Sequence, residues 1–190
     1  QQQQQHRLVV VSTLHNIANV HQQAGDLSQA LQVLVQAKHV LWQQQEHEED
    51  KNDTDGQQQQ QQKQNQPSNN LSWKKKKWHQ SARLCTAMGH VYFQADHYKD
   101  AQEAYQDAML LYERLIVLVE EEMDNKHRCR PRQHRHVQGQ NNTDTNYQVL
   151  LQELFNVRAD LNDLERAWQT RQRRQRQQEK QQQQQQPELE

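Results

Sequence analysis

A chain of 190 residues has the length of one domain, but only 32% of it is hydrophobic, and with a mean hydropathy of −1.35 it cannot be packed throughout. A formal net charge of −1 and a pI of about 6.9 give the whole chain no electrostatic bias toward nucleic acid or a membrane surface. The longest apolar run, LIVLV at 115–119, is far short of a membrane span, and Cys85 and Cys129 make no disulfide framework and read as free thiols of a reducing, cytoplasmic compartment.

After the glutamines at 1–5, a first structured block is expected over 8–45. Leu14, Ile17, Val20 and His21 recur at helical spacing, and Ala24-Gly25 ends the pattern. Gly25 suits the left-handed residue that closes a helix. Asp26 then serves as an N-cap, with Gln29 completing a capping box. Leu27, Ala30, Leu31, Leu34, Ala37, Lys38 and Leu41 continue at i, i+3, i+4 spacing, which predicts a second helix.

Residues 46–70, EHEEDKNDTDGQQQQQQKQNQPSNN, carry no apolar side chain and read as a disordered, glutamine-rich insert that cannot offset its ordering entropy. The block over 71–124 then repeats the first. Leu84, Met88, Val91 and Tyr92 form one stripe, and Tyr98, Ala101, Ala104, Tyr105, Ala108, Leu111 and Tyr112 form the next. Between them Asp96 is one of the few residues other than glycine that tolerates positive φ. Ile17 to Met88, Ala30 to Ala101 and Ala37 to Ala108 are each 71 residues apart, a single register across two helices and a turn.

The repeat resembles the tetratricopeptide family, whose signature is read twice: Leu14, Ile17-Ala18, His21, Ala30, Leu34 and Ala37, then Cys85, Met88-Gly89, Tyr92, Ala101, Tyr105 and Ala108. Leu14 and Cys85 stand where the family prefers Trp, and His21 where it prefers Tyr. The resemblance implies an all-α fold of antiparallel helix-turn-helix repeats. Small residues at Ala18, Gly89, Ala30 and Ala101 would let helices approach closely. A family unit is about 34 residues, so the offset leaves room for an insertion between the copies, where loop length costs little.

A basic polar loop is expected at 125–145, followed by a C-terminal helix over 146–175. Tyr147, Leu150, Leu154, Val157, Leu161, Leu164 and Trp168 alternate by three and four residues, a heptad seam. It reads as one long helix capping the second repeat, in preference to a degenerate third repeat, with a solvated glutamine-rich tail over 176–190.

Acidic runs EHEED (46–50) and EEEMD (120–124) each precede a basic one, WKKKKW (73–78) and HRCRPRQHRH (127–136). The basic segments are expected to fold back beside the acidic helix ends. Nucleic-acid binding through the lysines, with Trp73 and Trp78 stacking on bases, is disfavoured by the absence of basic excess. His127, Cys129, His134 and His136 match no zinc spacing, so no metal site is assigned. No glycine-rich phosphate loop or nucleophile elbow is present, and neither enzymatic activity nor a cofactor is expected.

The resemblance implies instead a protein-binding scaffold in which the first helix of each repeat lines a groove for a peptide or helix of a partner protein. The expected groove residues are His15, Asn16 and Asn19 in the first copy and Thr86, Ala87 and His90 in the second. His15 and Ala87 stand where chaperone-clamping repeats carry Lys and Asn, which argues against that sub-class. The long second helices are faintly similar to those of kinesin light chains. The rival reading is an oligomerisation module, self-associating through the heptad helix and glutamine tracts as coiled coil.

Overall fold

The computed structural model describes residues 2–42, 67–128 and 141–185. Five helices account for them, apart from two short turns: α1 Gln2–Gln23, α2 Leu27–Trp42, α3 Pro67–Gln94, α4 Tyr98–Arg128 and α5 Asn141–Gln185. Each helix packs on the one before it in the chain, and α1 also touches α3. The result is two antiparallel hairpins, α1–α2 and α3–α4, stacked through α2 and α3, with α5 laid along α4.

The two turns are built alike. Gly25 has φ 80° and Asp96 has φ 62°. The Gly25 N–H donates to Gln22 O and the Asp26 N–H to His21 O. In the second hairpin Asp96 donates to Phe93 O and His97 to Tyr92 O. Both are the paired hydrogen bonds that satisfy the last carbonyls of a helix around a left-handed residue. The Asp26 carboxylate accepts from the Gln29 N–H at 3.3 Å, the expected N-cap of α2.

Two apolar cores hold the stack. The first gathers Val11, Ala18, Ala30, Leu34, Ala37 and Leu41 with Leu84, Ala87 and Val91 of α3. The second joins Ala82, Cys85, Ala101, Tyr105, Ala108, Tyr112 and Leu115 to Leu150, Leu154, Val157 and Leu164 of α5. The expected stripe of α2 and both stripes of the second hairpin are therefore buried or half-buried.

The stripe of α1 differs from expectation. Val11 and Ala18 are buried, whereas Ile17 and Val20 are 42% and 65% exposed. Their counterparts Met88 and Val91 pack into the first core, where α3 meets α2. Among the described residues no helix covers α1 on that side, and the same pattern that is interior in α3 is surface in α1.

The heptad seam of α5 is consumed within the chain. Leu150, Leu154, Val157 and Leu164 are buried in the second core, so they serve as an intramolecular cap. Polar contacts fix the helix along its length. The Tyr147 hydroxyl donates to Glu120 at 2.8 Å, and Arg158 donates to Glu113 at 3.1 Å. Arg171 reaches the second turn, pairing with Asp96 at 2.7 Å over the Tyr98 ring. From Arg171 to Gln182 every residue is exposed, and the helix continues through the first part of the expected tail.

The lysine run belongs to an N-terminal overrun of α3, which begins at Pro67 inside the expected insert, Pro being well suited to a first helical position. Lys75 pairs with Glu122 of α4, and Lys77 lies over the Trp42 ring. The basic run therefore meets the acidic end of its own hairpin as well as the end of α2. EHEED and all but the first two residues of HRCRPRQHRH, with Cys129, lie outside the described residues, as does the insert up to residue 66.

Gly89 is where the second hairpin is tightest. A Cβ there would stand 2.6 Å from the Tyr105 ring, and Tyr105 is fully buried, with no room to retreat. Gly89→Ala is expected to destabilise by about 1–2 kcal/mol, overpacking outweighing the gain in helix propensity. In a Tyr105→Leu background, which copies the Ala18 and Leu34 pairing of the first hairpin, the same change becomes neutral or stabilising; urea melts of the four proteins check this.

Candidate functional site

The first helices of the hairpins, α1 and α3, and the long α5 share one face. Two contacts carry α5 across it. His79 Nε2 meets Glu153 at 2.6 Å, and His90 Nε2 meets Asp160 at 2.9 Å. Both require the ring proton on Nε2, so each imidazole donates to a carboxylate. Glu153 and Asp160 are seven residues apart, two turns of one helical face, which is how one helix reaches both histidines.

These bridges frame a groove with two chambers. The polar chamber, about 320 Å³, is lined by His15, Asn19 and Gln22 of α1, Arg83, Thr86, Ala87 and His90 of α3, and Glu153, Asn156 and Asp160 of α5. The other, about 530 Å³, lies between the N-terminal parts of α3 and α5 over α4. Its floor is Leu71, Leu115, Val119, Val149 and Leu150, and its rim carries Lys75, Lys76 and Glu122. His79 borders the apolar chamber and its partner Glu153 the polar one, so this bridge stands between them.

Five of the six residues expected from the sequence, His15, Asn19, Thr86, Ala87 and His90, line the polar chamber. Asn16 does not; it is exposed on α1. The α5 contribution was not visible in the sequence, where that helix reads only as a cap; Glu153, Asn156 and Asp160 recur at three and four residues, a polar stripe beside the heptad seam. Arg83 and the apolar chamber were missed as well.

Burial shifts several groups. His15 is half-buried, and its pKa is lowered by desolvation and then by the Arg83 guanidinium. Near neutral pH it is an uncharged imidazole with one donor and one acceptor nitrogen. Desolvation raises the pKa of Tyr105 and Tyr112, reinforced by Asp160 and Glu153 respectively. The Tyr105 hydroxyl is buried without a hydrogen-bond partner, with the His90 ring edge-on at 5.6 Å. Burial raises the Cys85 thiol also, which keeps it protonated and poorly nucleophilic. Among the described residues no three His, Cys, Asp or Glu side chains gather as a metal-ligand set, and no helix is long and apolar enough to cross a membrane.

The arrangement offers amide, hydroxyl and imidazole groups on walls of three helices, suited to a polypeptide backbone and its side chains. It is an architecture of stacked antiparallel helical hairpins. Residues 10–41 match the tetratricopeptide repeat family. The match spans the part of α1 from residue 10 on, its turn and α2 up to residue 41, and the second hairpin repeats its turn geometry at the constant offset. Among curated proteins and among solved structures, none matches the chain.

The His15 shift has a consequence for stability. The unfolded chain holds this imidazole at its ordinary 6.5 and the folded chain below it, so between the two values the unfolded state binds the extra proton. The His15 contribution to stability is complete above about 6.5 and declines as pH falls below it. Urea midpoints at pH 7 and pH 5.5 are expected to differ less in His15→Gln than in the wild-type chain.

Proposed function

We propose that the groove shared by α1, α3 and α5 receives an extended segment or helix of a partner protein, the chain acting as a non-catalytic scaffold. The observation that carries this reading is the two-chamber groove itself. His15, Asn19, Thr86 and His90 from two separate repeats converge on one chamber, and an apolar chamber large enough for bulky side chains adjoins it. Polar groups that converge beside an apolar pocket fix a ligand's orientation while burial supplies affinity. The uncharged His15 can bond a backbone carbonyl or N–H, and Asn19 offers both at once.

The rival reading, self-association through the heptad helix, loses its seam. Leu150, Leu154, Val157 and Leu164 already face α4 and its neighbours, and a coiled-coil partner would need them free. The groove reading therefore expects a monomer of 22.8 kDa at every concentration tested by light scattering.

Affinity capture with the full chain tests the site. Partners retained by the wild type are expected to be lost by a His15→Ala, Asn19→Ala, His90→Ala variant whose thermal melt shows it folded. Asn16→Ala, which lies outside the chamber, leaves capture unchanged. Retention of every partner by the triple variant overturns the groove assignment.

A further inference from the structure

Beyond Trp168, the last apolar residue of α5, the helix changes character. Residues 169–185 hold only glutamines, one threonine and charged side chains. A stretch without apolar side chains offers no face on which another helix could stack, whatever else the protein carries. Its charges also differ from those of the body. Arg158, Arg166 and Arg171 each pair with a carboxylate, whereas among the described residues Arg173, Arg174, Arg176 and Lys180 meet none. All four are exposed, and Glu179 is the one acid in the stretch.

These four cations are not spread evenly around the helix. At about 100° per residue, Arg176, Lys180, Arg173 and Arg174 fall in that order within an arc of about 160°. Gln177 and Gln181 stand inside the arc and Glu179 outside it. Leu164, buried in the second core, points about 160° from the middle of the arc. The cationic face is therefore turned away from the body.

Its chemistry limits what it can hold. A protein partner gains affinity from a desolvated apolar centre, for which this stretch has no counterpart. A polyanion needs only the guanidinium and ammonium groups, because neutralising its phosphates releases their counterions. An α-helix with its side chains is about 10–12 Å across, and the DNA major groove is about 12 Å wide. Arg174 and Arg176, at the two edges of the arc, suit phosphates on opposite walls of that groove. Between them Gln177 and Gln181 face the base edges, where glutamine can bond adenine. The formal net charge of −1 for the whole chain conceals this local excess.

We infer that the exposed end of α5 binds duplex DNA, entering the major groove with Arg173, Arg174, Arg176 and Lys180 on the phosphates. This surface is separate from the site between α1, α3 and α5: none of the four cations lines either chamber.

A fluorescein-labelled DNA duplex two helical turns long serves as probe, titrated with the full chain and followed by anisotropy. Saturable binding is expected at low salt, and four phosphate contacts predict a slope of about −3 to −4 for log affinity against log salt. In Arg173→Gln, Arg174→Gln, Arg176→Gln the slope should drop to about −1, with affinity reduced about tenfold or more at low salt. Glutamine is a good helix former, so circular dichroism should match the wild type. A charge-matched control, Lys74→Gln, Lys99→Gln, Arg114→Gln, alters three exposed cations of the body and is expected to bind as the wild type does. Three results would overturn the inference: no saturable binding at low salt, equal losses in the two triple variants, or displacement of the duplex by poly-L-glutamate at equal charge concentration, which would give the face to an acidic polypeptide.

Discussion

The contact between Gly89 and Tyr105 is the constraint on which the second hairpin depends. A glycine on the first helix lets the aromatic ring of the second lie where any side chain would collide with it. The first hairpin divides the same space as Ala18 and Leu34, a methyl more on one helix and a smaller side chain on the other. Both arrangements fill the space between the paired helices with buried side chains. Because both turns also close through the same pair of backbone hydrogen bonds, the rotation of each first helix is fixed relative to its partner. That rotation decides which side chains face the groove and which face a neighbouring helix.

The hairpins were legible in the sequence because local rules carry them: stripes at three and four residues, a glycine and an aspartate where φ must be positive, and an N-cap at Asp26. The long α5 was legible from its heptads. The rotation of α1 was not, since Ile17 has the same spacing whether or not a helix covers it. The interior fate of Met88 depends on α2, which lies beyond the reach of local periodicity. The length of the helices escaped for another reason. Gln, Lys, Arg and Glu are good helix formers without any apolar period, so α3 begins in polar sequence and α5 runs on past the last heptad.

Most of the candidate site depends on contacts between distant segments. His79 and Glu153, or His90 and Asp160, are more than sixty residues apart in sequence, and nothing in either segment alone announces the other. The groove residues of α1 and α3 could be named from the resemblance, whereas the wall supplied by α5 required the cap to be seen in place. Its carboxylates convert a simple cover into part of the binding surface: each one orients a histidine, and one of these bridges separates an apolar chamber from a polar one. A ligand that spans both would have to pass the His79–Glu153 bridge, so an apolar anchor and a hydrogen-bonding stretch in one ligand would be held about one bridge-width apart.

The bare stretch of α5 beyond Arg171 has a mechanical meaning. Arg171 is anchored at the second turn, and the eleven exposed residues that follow to Gln182 rise about 16 Å along a straight axis. Without tertiary contacts this portion acts as a strut. A label or fused module placed at its far end would stand off from the body at a bearing set by the clasp at Asp96, and loosening that clasp would swing it.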